Sequence, residues 1–210
     1  MKTLSQLVEP SKTAIIVVDV QNDFCHPDGA LGKAGQPTAA ALAMIPTLQT
    51  LLDAARDNGT TVIFIQTIHE SATDSEAWTA RSGGKVSSAC RKNTWGAEFT
   101  DVAPLPSETV VIKHRYSAFI NTRLDSVLRT FKIENLIMTG VSTNVCVEST
   151  ARQGFMMDYN VVFLGDCTAA YSQAEHDGAL KNMEKHFGMV STAPDVIAAW
   201  KAMRALPTPA

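Results

Sequence analysis

The chain lacks the features that would mark it for a polyanion, a bilayer or an oxidising compartment. Charged residues are only 19% of its 210 residues and sum to a formal −3, and Lys and Arg are scattered rather than gathered into a stripe. Nucleic acid is therefore not expected as a partner. No apolar stretch reaches the length of a membrane span, and Met1 to Ser11 carries one lysine and no apolar signal core, so a cytoplasmic protein off the membrane is expected. The four cysteines, Cys25, Cys90, Cys146 and Cys167, include no CxxC pair, and a chain this long needs no disulfide staples. They read as reduced thiols. Gly29, Gly32 and Gly35 form no GxGxxG and follow no strand directly, which argues against a dinucleotide site. No repeat, low-complexity tract or linker breaks the chain, so residues 1–210 are expected to form one domain.

What is present is an alternation of apolar runs and helical periodicity. Thr13 to Val18 is a β-branched run of the kind buried on both faces of a parallel sheet. Further strands are predicted over Thr60 to Ile68, Thr109 to Ile112, Asn135 to Thr139, Asn160 to Leu164 and Met189 to Ser191. Between them, helical spacing of apolar residues predicts helices over Thr38 to Asn58, Asn121 to Phe131, Asn144 to Phe155, Ala174 to Phe187 and Pro194 to Ala205. Thr38 is placed as an N-cap and Pro46 as a kink. The pattern predicts an α/β fold: a doubly wound, mostly parallel, Rossmann-like sheet with helices on both faces. The segment from 71 to 107 is too long for a plain connection and reads as a lid or binding loop. Arg81, Lys85, Arg91 and Lys92 make it basic, which suits either a solvated loop or a guide for an anionic substrate.

Three residues share one address in that topology. Asp19 ends the first strand, Lys113 ends the third, and Cys146 lies in the first turn of the helix after the fourth, so all meet at the carboxyl edge of the sheet. There a thiol has a base, a cation and the positive end of a helix dipole within reach. A structural Asp–Lys pair beside an inert, buried cysteine would give the same pattern.

The three motifs around these residues are more specific than their positions. Val17-Val18-Asp19-Val20-Gln21-Asn22-Asp23-Phe24, Lys113-His114-Arg115-Tyr116-Ser117-Ala118-Phe119 and Thr139-Gly140-Val141-Ser142-Thr143-Asn144-Val145-Cys146 occur in an order that resembles the isochorismatase-like cysteine hydrolases. The resemblance spans nearly the whole chain and implies a hydrolase whose triad is Asp19, Lys113 and Cys146. It also implies a cis peptide at Val141–Ser142 and an oxyanion hole made of the backbone N–H groups of Ser142 and Cys146.

Within that family the nucleophilic cysteine implies an amidase rather than a vinyl-ether hydrolase. A metal-binding nicotinamidase branch uses Asp-x-His at the end of the second strand, where this chain has Thr67-Ile68-His69. Neither a metal nor a cofactor is therefore expected, and His69 is read as a pocket residue. The Cys25-His26 pair is too small to be a ligand set. The resemblance is greatest to metal-free amidohydrolases of small ureido, carbamoyl or amide substrates, of the ureidoacrylate, biuret or triuret type, with maleamate-type and nicotinamidase-like amidases as alternatives. Asn22, Phe24, Asn93, Trp95, Tyr116, Phe119 and His186 are the candidate substrate-binding residues. An Arg or Lys facing the pocket would favour a carboxylate-bearing substrate over a neutral one. The resemblance further implies a homo-oligomer, dimer or tetramer. Outside catalysis, an inactive binding protein or a thiol redox sensor pairing Cys146 with Cys167 remains open.

Overall fold

Each central strand is apolar on both faces because each is covered on both faces. A computed structural model describes residues 2–81 and 88–205. Its strands are β1 (Thr13–Val18), β2 (Thr61–Thr67), β3 (Thr109–Lys113), β4 (Asn135–Val141), β5 (Asn160–Ala169) and β6 (Met189–Ser191). They form one sheet in the order β3-β2-β1-β4-β5-β6, and every pairing is parallel. The described helices are α1 (Leu4–Leu7), α2 (Asn22–Cys25), α3 (Ala30–Lys33), α4 (Ala39–Asp57), α5 (Glu76–Ala80), α6 (Leu124–Thr130), α7 (Glu148–Met156), α8 (Gln173–His186) and α9 (Ala193–Arg204).

Alternation along the strands sorts the core into two halves. Ile15, Val17, Val62, Phe64, Ile137 and Val162 face α1, α4 and α9, where Trp200 is buried and donates its indole N–H to the Val8 carbonyl at 2.6 Å. Ile16, Val18, Ile63, Ile65, Met138 and Phe163 face α6, α7 and α8. The chain leaves β1 toward β2 on one side and β4 toward β5 on the other, so the strand order reverses between β1 and β4. At such a switch point the loops diverge and a cleft opens at the carboxyl edge.

Several expectations need correction. The predicted helix from Asn144 starts as a π-helical turn, Thr143–Val147, and becomes α-helical only at Glu148. Helix α6 starts at Leu124 because Asn121 has a left-handed backbone (φ 54°) that no α-helix can contain. Thr38 does stand at the N-cap position of α4, but its side chain makes no capping hydrogen bond, and Pro46 lies inside α4 without ending it. Strand β5 runs five residues beyond Leu164, through a bulge that shifts its register between Met138 and Gly140; the polar Gly165-Asp166 step hides this from an apolar pattern. The long loop contains α5 and a short 3-10 turn at Trp95–Ala97, while Lys85 falls outside the described residues.

Candidate active site

Asp19 follows β1 with φ 54°, a conformation that Asp tolerates better than most residues. Its backbone N–H still bonds Ile65 of β2 at 3.1 Å, which pins the turn to the sheet. The carboxylate is 1% exposed and has two different oxygens. Oδ1 accepts a hydrogen bond from the Thr67 hydroxyl at 2.9 Å, and Oδ2 lies 2.7 Å from Lys113 Nζ. That ionic contact leaves Oδ2 with lone-pair capacity for another proton.

Lys113 ends the edge strand β3 and is also 1% exposed. Its ammonium has three N–H groups and three neighbours: Asp19 Oδ2 at 2.7 Å, the Arg115 carbonyl at 3.1 Å and Cys146 Sγ at 3.5 Å. Burial opposes its charge, but Asp19 and Cys146 together outweigh burial and hold its pKa above the usual lysine value. The cation is permanent at any physiological pH.

Cys146 sits in the π turn, 8% exposed. Burial pushes its thiol up to about 12; Lys113 pulls the other way, and the charge of Asp19 and a hydrogen bond to it add to the rise. The resting group is therefore a neutral thiol. The arrangement suits proton transfer to Asp19 at the moment of attack.

The approach of β4 to β1 depends on Gly140. Its φ is 104°, and a Cβ there would lie 2.0 Å from the Val18 carbonyl oxygen. Immediately after it, the Val141–Ser142 peptide is cis, and the Ser142 carbonyl accepts from the N–H groups of Val145 and Val147 at 3.1 and 3.2 Å. Both Ser142 and Cys146 line the cavity.

That cavity, of about 160 Å³, is walled by residues that follow five of the strands. Phe24 and Leu31 come after β1, His69, Trp78 and Ala89 after β2, Arg115 and Tyr116 after β3, Val145 after β4 and Tyr171 after β5. A dry cavity of about 150 Å³ holds a molecule the size of benzene, so the space suits a small substrate rather than a large one.

Of the candidate substrate-binding residues, Phe24 and Tyr116 are in this wall and the others are elsewhere. Asn22 instead donates its side-chain amide to the Trp95 carbonyl at 2.8 Å. Trp95 is 48% exposed and edge-on to His26, and Asn93 is an exposed turn residue with φ 62°. Phe119 is a core residue stacked on Tyr159. His186 precedes β6 and so belongs to the amino edge of the sheet, where it lines a separate cleft with Phe155 and Phe187. Of the basic loop residues, Arg91 pairs with Asp74 and Lys92 with Glu70. Cys167 lies in the core half opposite the one containing Cys146, which removes it as a resolving thiol.

Wall residues missed in the sequence, namely Leu31, Trp78, Ala89, Arg115, Val145 and Tyr171, share one signal. Each follows a strand at its carboxyl end, and those in long loops carry nothing more. His69 is 2% exposed; burial first, and then the charge of Lys113, lower its pKa to about 4, so it is neutral.

A family model described as the isochorismatase domain matches residues 13–195. The chain belongs to the isochorismatase family. Other members of the isochorismatase family resemble it over almost their full length. It is 37% identical to the ureidoacrylate amidohydrolase RutB of Caulobacter vibrioides, over 90% of this chain and 91% of the relative. It is equally 37% identical to the protein of that name from Azorhizobium caulinodans, covering 91% of each. Among solved structures, a cysteine hydrolase from Pseudomonas syringae pv. phaseolicola superposes with a TM-score of 0.83 at 30% identity, covering 92% of this chain and 94% of that one.

Proposed function

We propose that this amidohydrolase cleaves the C–N bond of a small ureido or carbamoyl substrate through a covalent thioester on Cys146, with a ureidoacrylate-type compound as the substrate. The observation that carries the reading is the junction of Asp19 Oδ2, Lys113 Nζ and Cys146 Sγ at the floor of one small cavity, with the ammonium 2.7 and 3.5 Å from its partners. The relatives' amidohydrolase activity supports it.

In the proposed reaction Asp19 takes the thiol proton as sulfur attacks the carbonyl carbon. The oxyanion so formed is held by the backbone N–H groups of Ser142 and Cys146. Collapse breaks the C–N bond, Asp19 returns the proton to the departing nitrogen, and ammonia leaves. A water molecule then gives its proton to Asp19 and attacks the thioester, which frees the acid product and restores the thiol. Lys113 compensates the negative charge throughout. In this reading the protein works in the cytoplasm as a dimer or tetramer; its four cysteines are free, and among the described residues no helix is long and apolar enough to cross a membrane.

Ammonia release is the test, screened over ureidoacrylate, biuret, triuret, carbamoylsarcosine, maleamate and nicotinamide, with and without chelator. Ureidoacrylate should be turned over best and chelator should change nothing. Cys146→Ala and Asp19→Asn should each abolish release, and a wild-type rate in either variant rules the mechanism out.

A further inference from the structure

We infer that Arg115, with the indole of Trp78 and the imidazole of His69, forms an anion subsite on the cavity wall that receives a carboxylate of the substrate. The inference rests on the amidohydrolase reading for what happens at Cys146, and it assigns the other end of the molecule. The guanidinium of Arg115 is already oriented without being used up. Nη1 donates to the carbonyls of Thr73 and His114 at 3.1 and 2.6 Å, and the group lies 4.9 Å from the centre of the Trp78 ring. Its Nε and Nη2 have no partner among the described residues.

Its charge is also unmatched. The neighbouring acids are committed elsewhere: Asp19 to Lys113 at 2.7 Å, Glu70 to Lys92 at 2.7 Å and Asp74 to Arg91 at 2.5 Å. No carboxylate lies within ion-pair distance of Arg115 among the described residues. A half-buried cation without a counter-ion, lining a cavity, is stabilised by an anion that arrives from outside.

Two buried groups beside it are unsatisfied too. Trp78 Nε1 and His69 Nδ1 have no hydrogen-bond partner among the described residues, although His69 is 2% exposed and both residues line the cavity. His69 and Trp78 are in ring contact at 5.6 Å, so guanidinium, indole and imidazole form one continuous patch. Fork-like N–H donors, an indole N–H and a neutral ring nitrogen fit the two coplanar oxygens of a carboxylate. The cavity of about 160 Å³ limits the whole molecule to a short chain between that carboxylate and the reacting carbonyl.

The test compares ureidopropionate with ureidopropanol, which differ in the anionic end and share the ureido group. The wild-type enzyme should favour the acid by about 30-fold or more in kcat/KM, mostly through KM. Arg115→Gln should collapse that ratio to about threefold, with the acid losing far more than the alcohol, and Arg115→Lys should fall between. Equal wild-type efficiencies, or a variant that lowers both substrates alike, would overturn the subsite. If Arg115→Gln does not fold, the wild-type ratio and Trp78→Phe, which deletes one N–H and keeps a ring, decide instead. Calorimetry on Cys146→Ala separates the two readings. Selective binding of the acid without wild-type turnover rejects the hydrolase mechanism alone, whereas turnover of both compounds without preference rejects the subsite alone.

Discussion

Replacing Lys113 by Met strips the ammonium from a carboxylate that is 1% exposed and leaves the Thr67 hydroxyl as its hydrogen-bond donor. Breaking one side of a buried ion pair costs about 3–5 kcal/mol, because the surviving charge stays buried and unmatched. A folded domain has about 5–15 kcal/mol in total, so the variant should fold with much of its margin gone. With a urea slope of about 2 kcal/mol per molar, a loss of about 4 kcal/mol lowers the midpoint by about 2 M. The pH dependence gives the loss its signature. In the wild type, Lys113 has a folded pKa above its ordinary 10.5, so its contribution is complete below that value and is lost as pH rises through the folded pKa. The alkaline loss should be absent from Lys113→Met. Urea titrations of both proteins across pH provide the measurement. Equal midpoints near pH 8, or an alkaline loss in the variant as steep as that of the wild type, would refute the assignment of Asp19 and Lys113 as a buried charged pair.

Gly140→Ala should be among the most damaging single-methyl changes in the protein, costing about 4 kcal/mol or more, since its Cβ would meet the Val18 carbonyl at 2.0 Å; an unchanged melting temperature would contradict the close approach of β1 and β4. His69 supplies an acid-side dependence. Its folded pKa of about 4 lies below the ordinary 6.5, so its contribution is present above pH 6.5 and drains as pH falls toward 4, by up to about 3 kcal/mol. His69→Gln should flatten that slope in urea titrations, and an unaltered slope would show the ring is not buried in its neutral form.

The sheet was legible because buried parallel strands are apolar runs, and runs such as Thr13 to Val18 and Asn135 to Thr139 have no competing reading. The floor of the site was legible for a related reason. Asp19, Lys113 and Cys146 each lie at or just beyond the carboxyl end of a strand, and parallel topology carries all such positions to one edge. The wall was not. Arg115 and Tyr116 are neighbours of Lys113, yet Phe119, three residues further on, turns into the core against Tyr159, and spacing alone does not separate them. Trp78 reaches the cavity from a helix of five residues inside a long loop, whose path no periodicity encodes. His186 was misplaced by treating closeness to a strand as closeness to the site, when the residue enters that strand from the amino edge.

The two cations at the site answer differently to their surroundings. All three N–H groups of Lys113 are spent inside the protein, on Asp19, Cys146 and the Arg115 carbonyl. Mobile ions screen charges that solvent can reach, over about 8 Å at physiological ionic strength, and have little hold on a charge sealed from water. In the proposed reaction the bond-breaking step is thereby insulated from the salt content of its surroundings. Capture of a charged substrate at the proposed Arg115 subsite is not, so changing ionic strength should act on the enzyme's grip while leaving its chemistry alone.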